Sequence, residues 1–221
     1  MEEPNFTAAA IRAAETLVTY NVSYAPVSPL PILKTMPGII VMSFAEIALS
    51  TGAEREHVIS SFGELQDAVT LCKKINGETK YIVAYNQRLP VYIMQRGLAR
   101  ELGHIMLHHD GSKPEWVRTQ EAMCFARHLI CPRPLIKALQ ECGVKLTIEV
   151  LGNVTGCYER CLEGLRETPG THVPPEINRT IRKQFENYIH DFVSFQEILS
   201  RDDKTQTAEF GTYMDGYTEE E

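Results

Sequence analysis

The sequence predicts an α+β fold, in which helices pack on a small sheet and an α-helical extension comes after them. Three observations predict it. Residues 6–20 carry apolar side chains at helical spacing, namely Ala10, Ile11, Ala14, Leu17 and Val18. Two short runs, Gln66 to Lys73 and Lys80 to Tyr85, flank Asn76 and Gly77, a pair suited to a tight antiparallel turn. From Val91 onward every periodic segment reads as helix. The 221 residues, 43% of them hydrophobic, suffice to bury a real core, which excludes disorder throughout.

Taken in order, Asn5 caps a first helix that runs to Tyr20. Pro26, Pro29, Pro31 and Pro37 mark a loop and a short helix, with Ser28 as cap and Pro29 at the first helical position. Ile39 to Phe44 reads as a buried strand and residues 45–62 as helical. Val91 to His109 is a helix-compatible run stopped by Asp110 and Gly111, and Glu115 to Ile130 is a second, ended by Cys131 and Pro132. A third helix spans Pro134 to Cys142. Thr147 to Leu165 reads as two short helices broken near Gly152 to Gly156, with Thr155 as a cap, and Pro174 and Pro175 introduce a long helix to about Leu199.

Charge narrows the function classes. Lys and Arg number 22 against 29 Asp and Glu, a net −7. Residues 201–221 hold seven acids and two bases, so residues 1–200 carry only −2. This balance argues against a broad grip on nucleic-acid phosphates or anionic lipid. Residues 147–165 have the length of a helix-turn-helix, but the region from Pro132 to Ser200 holds eight bases and nine acids and no basic stripe. A protein-contact or cleft-covering role is the better reading there. No apolar run approaches the roughly 20 residues of a membrane span. The acidic start, Met1-Glu2-Glu3-Pro4, is unlike a signal peptide, so a soluble, cytoplasmic protein is expected. Cys72, Cys124, Cys131, Cys142, Cys157 and Cys161 contain no C-x-x-C pair and read as buried thiols.

The chemistry concentrates in Ala99-Arg100-Glu101-Leu102-Gly103-His104-Ile105-Met106-Leu107-His108-His109 and in the later Glu121-Ala122-Met123-Cys124-Phe125-Ala126-Arg127-His128-Leu129-Ile130-Cys131-Pro132. A zinc peptidase helix places two His at i and i+4 on one face, with a Glu beside the first as general base and a third ligand from a later helix. In this frame Glu101 stands at the base position, His104 at the second ligand and Glu121 at the third. Arg100 stands at the first.

These two helices, with the strand ending Ile82-Val83-Ala84-Tyr85-Asn86, resemble the ImmA/IrrE metallopeptidases of mobile-element and stress regulators, over about Phe6 to Leu135. The resemblance implies zincin-like helices on a small sheet. It also implies zinc as cofactor, and hydrolysis of a protein partner such as a transcriptional repressor. It assigns Glu101 as general base and His104 and Glu121 as metal ligands. On this basis residues 1–135 form a metallopeptidase-like (IrrE N-terminal-like) domain, 136–200 a helical extension and 201–221 a disordered acidic tail.

Arg100 departs from the pattern for a physical reason: a guanidinium stays protonated and has no lone pair for zinc. Three outcomes are open. The site is metal-free or weak, with Arg100 in the zinc position paired to Glu121. Or it is rearranged, with His108 at i+4 from His104 as a ligand and Cys124 or His128 adding another. Or it serves some other use. Two functions are then in play: a metallopeptidase with an altered site, or a non-catalytic pseudo-peptidase that binds a regulator through the retained cleft. For His108 and His109 a role at the helix end beside the C-terminal dipole is as good a reading as ligation. Gly103 reads as a close-approach position for a neighbouring helix.

Overall fold

The computed structural model describes residues 2–75, 78–157 and 171–199. The chain starts with α1 (Phe6–Thr19), where the Asn5 side chain accepts the Ala8 amide at 2.9 Å, the expected cap. Its buried face is built of Ala9, Ala10, Ala13, Ala14 and Leu17, small side chains that let other helices lie close. In α2 (Pro29–Thr35) proline occupies the first turn as predicted. The Ser28 hydroxyl makes no cap and pairs instead with Gln95 Oε1 at 3.2 Å.

β1 (Ile39–Ser43) leads directly into α3 (Phe44–Thr51) through a capping box, in which Ser43 and Glu46 bond each other's backbone amides. Gly52, at φ 69°, ends α3, and α4 (Arg55–Phe62) comes next. The stretch expected as helical is therefore two helices, because a left-handed residue closes the first. β2 (Ala68–Ile75) and β3 (Glu78–Tyr85) pair antiparallel, with Ala68 opposite Tyr85. β1 lies parallel to β3 on the other side, giving the order β1-β3-β2. β3 is central, and its Val83 and Ala84 are fully buried. β1 is an edge, with Ile40 51% exposed, which corrects the expectation of a buried strand: it is paired along one side only.

The helical part comprises α5 (Val91–Met106), α6 (Glu115–Ile130), α7 (Arg133–Glu141), α8 (Ile148–Thr155) and α9 (Pro175–Gln184). After a turn at Phe185, helix resumes over residues 186–199, so the long terminal helix is interrupted once. Thr155, expected as a cap, is the last residue of α8; its hydroxyl donates to the Leu151 carbonyl at 2.7 Å and accepts the Cys157 amide at 3.1 Å. The second short helix expected before Leu165, Cys161, the hairpin turn at residues 76–77 and the acidic tail lie outside the described residues.

One hydrophobic core runs through Leu17, Leu33, Leu98, Leu102, Phe125, Leu129, Leu135, Leu139, Ile181 and Phe185, taking residues from both sides of position 135. Burial of each such side chain contributes about 1.5–3 kcal/mol. Gly103 stands where α5 crosses α6: a Cβ there would sit 3.1 Å from the Ala122 carbonyl oxygen and 3.1 Å from the Phe125 ring. Among the described residues no helix is long and apolar enough to cross a membrane. Cys124, Cys131 and Cys157 are buried; Cys72 and Cys142 are exposed, contrary to expectation, because one lies on an edge strand and the other caps α7 at the surface.

Candidate functional site

The site forms where α5 and α6 pack. Its floor is the Glu121 carboxylate, 3% exposed, on the second turn of α6. Oε1 accepts the backbone amide of Asn5 at 2.8 Å, so the carboxylate sits against the positive N-terminal end of α1. The Lys113 ammonium, from the loop before α6, donates to both oxygens at 2.9 Å. His109 Nε2 meets Oε2 at 2.8 Å. Burial alone would raise the Glu121 pKa, but these three donors hold it below the usual carboxylate value.

His109 reaches Glu121 because of how α5 ends. The helix stops at Met106, three residues before the sequence suggested, and His108 adopts the left-handed conformation at φ 52°. The His108 amide donates to the Ile105 carbonyl at 3.1 Å and the His109 amide to the His104 carbonyl at 3.0 Å, the paired bonds of a Schellman stop with His108 where glycine is usual. This stop folds His109 back over the helix. Its Nδ1 then lies 2.9 Å from His104 Nδ1, and the imidazole bridges His104 to Glu121. Burial, then the nearby His109, Arg100 and Arg118, lower the His104 pKa to about 4, and burial also lowers that of His109. Both rings are therefore neutral at pH 7.

Arg100 is not in this chain of contacts. Its guanidinium donates to Glu101 Oε1 at 2.8 and 3.0 Å, to Asp67 Oδ1 at 2.9 Å and to the Ala68 carbonyl at 2.9 Å. Desolvation opposes its charge, but Glu101 and Asp67 outweigh it and raise the pKa. Gly97, one helical turn earlier, makes room for Asp67: a Cβ there would stand 2.7 Å from the Asp67 carboxyl carbon. The pairing of Arg100 with Glu121 expected for a metal-free site is thus replaced by two separate clusters, Arg100 with Asp67 and Glu101, and Glu121 with Lys113 and His109.

The other candidates lie apart. His108 is exposed at the helix stop. The Cys124 thiol donates to the Phe6 carbonyl at 3.5 Å, and burial pushes its pKa up to about 11, so the thiolate a metal needs is not formed. His128 faces Thr171 and not Glu121. Sequence reasoning missed Asp67, Lys113 and the bridging role of His109.

A zinc ion needs three protein ligands converging on one point. Here His104 and His109 turn their Nδ1 atoms toward each other, while Glu121 sits at the opposite ring nitrogen of His109 and shares both its oxygens with Lys113. Among the described residues no group of three His, Cys, Asp or Glu is placed to hold a metal. The residues as arranged do not fit zinc. What they can do is shuttle a proton along His104, His109 and Glu121, or fix the helices in place. No protein-family model, curated protein or solved structure matches the chain.

Proposed function

We propose that the chain is a non-catalytic, zincin-like relative of the ImmA/IrrE peptidases that binds a protein regulator without cleaving it. One observation carries the reading: each carboxylate of the peptidase-like frame is held by a cation or donor of the protein itself. Glu101, which would have to accept a proton from water as general base, is occupied by the Arg100 guanidinium. Glu121, which would have to ligate a metal, is occupied by Lys113, His109 and the Asn5 amide. Retention of Glu101 then has a structural cause, since it shares the charge of Arg100 with Asp67.

The outer face of α6 supports a binding role. Trp116 is 51% and Met123 39% exposed, seven residues apart on the helix that carries Glu121. Exposed Trp and Met on one helical face suit a protein contact.

Metal analysis tests the proposal. Full-length protein purified without chelators is expected to carry zinc far below one ion per chain, and to leave a bound regulator intact. Stoichiometric zinc, or cleavage of a partner that Glu101→Gln abolishes, would sink it.

A further inference from the structure

A second site lies at the C-terminal end of α6, two turns along the helix from Glu121. A cavity of about 480 Å³ opens between the starts of α7 and α9. Arg133, Lys137, Arg179 and Arg182 line it, with His128 and His172, and no Asp or Glu is among its described lining residues. In a chain of net charge −7 such a concentration of one sign is unusual. Among the described ion pairs, Arg182 meets Glu141 at 2.5 Å and Lys137 meets it at 3.9 Å, so two cations share one carboxylate. Arg179 has no ion-pair partner among the described residues.

Three further features shape the cavity for a ligand. Two helices begin at its wall, α7 at Arg133 and α9 at Pro175, and each adds the positive end of its dipole. Part of the wall is apolar, formed by the half-buried Pro134 and Val173. His128, 7% exposed, forms part of the wall; burial lowers its pKa to about 4, so at pH 7 it is a neutral hydrogen-bonding group, with Nε2 3.4 Å from the Thr171 hydroxyl. The volume falls in the range of small-molecule sites, roughly 300–1,000 Å³.

We propose that this cavity binds a small organic phosphate, its phosphate held by Arg179, Lys137 and Arg182 and its apolar body resting against Pro134 and Val173. Guanidinium forks suit phosphate oxygens, and the apolar part of the wall favours an organic ester over the bare ion. The site does not depend on the peptidase-like reading.

Calorimetric titration of the full chain with phenyl phosphate, adenosine monophosphate and inorganic phosphate tests it. Saturable one-to-one binding of at least one organic phosphate is expected, tighter than that of inorganic phosphate and weakening as salt rises. Arg179→Gln and Lys137→Gln, both surface positions, are each expected to weaken binding by about tenfold, the scale of one charge-assisted hydrogen bond. Arg55→Gln, on distant α4, removes the same charge and is expected to leave affinity unchanged. Absence of binding by either organic phosphate, equal affinity for inorganic phosphate, or equal losses in the control variant would overturn the proposal.

Discussion

Arg100 shows how one side chain can fasten a helix to a sheet. It ties Glu101 of α5 to Asp67 at the start of β2, joining helix to sheet through a partly buried ion cluster. Arg100→Met would leave the nearly buried Glu101 without its cation and Asp67 with only Arg96, at 3.9 Å, and a loss of about 3 kcal/mol in urea denaturation is expected. Arg100→Lys should recover only part of it, since an ammonium cannot span both carboxylates and the Ala68 carbonyl as a fork does. His108 makes the opposite case. A left-handed non-glycine residue is strained by about 1–2 kcal/mol, so His108→Gly is expected to hold or raise the thermal midpoint. A clear drop would mean that the exposed imidazole does something its contacts do not show. At this scale the sequence pattern singled out Glu101, His104 and Glu121, of which the fold links His104 to Glu121 through His109 and sets Glu101 against Arg100. It hid His109, because nothing in Leu107-His108-His109 announces a stop before Asp110-Gly111. It hid Asp67 as well, 33 residues from Arg100, because ion pairs between elements leave no local spacing.

At the scale of elements, the crossing of α5 over α6 and over Asp67 depends on two missing side chains. Gly103→Ala would push a methyl group against the Ala122 backbone, which cannot yield without moving a helix, and a loss of about 1–3 kcal/mol is expected by calorimetry. Gly97→Ala meets the Asp67 carboxylate, which Arg100 already pins, so a similar loss should accompany a weakened ion cluster. The combined Gly97→Ala, Arg100→Met variant is expected to lose less than the sum of the two, because both act on Asp67. Element boundaries were legible where proline punctuates the chain: α6 runs between Pro114 and Pro132 as read. They were not where a left-handed residue or an isolated turn decides, as at Gly52 and Phe185, since periodicity continues across such breaks. The edge position of β1 was equally hidden, for strand order is a property of the assembled sheet.

For the whole molecule, buried neutral imidazoles set the response to acid. His104 and His128 both have pKa values near 4 in the fold against about 6.5 unfolded. Between those values the unfolded chain takes up more protons, so stability is full above about pH 6.5 and falls as pH drops toward 4. The Glu121 pKa is lowered, so its contribution is lost only further into acid, below the ordinary carboxylate value. Urea midpoints measured from pH 7 to pH 4 should therefore decline steadily, and His128→Gln should flatten part of that slope. A flat profile in the unsubstituted protein would contradict the buried, uncharged state of both rings. The overall α+β plan could be read from periodicity, whereas the merging of the later helices into the first core could not, because each helix shows only that it has an apolar face and not what it meets.

The amide of Asn5 precedes the first helix, in a stretch that would ordinarily fray, yet it is tied to Glu121 across 116 positions of chain. In deuterated buffer its proton should linger far longer than those of the neighbouring Glu2 and Glu3, reporting the opening of the α1 and α6 contact instead of local breathing. A few residues at one extremity thus act as a latch whose release can be timed.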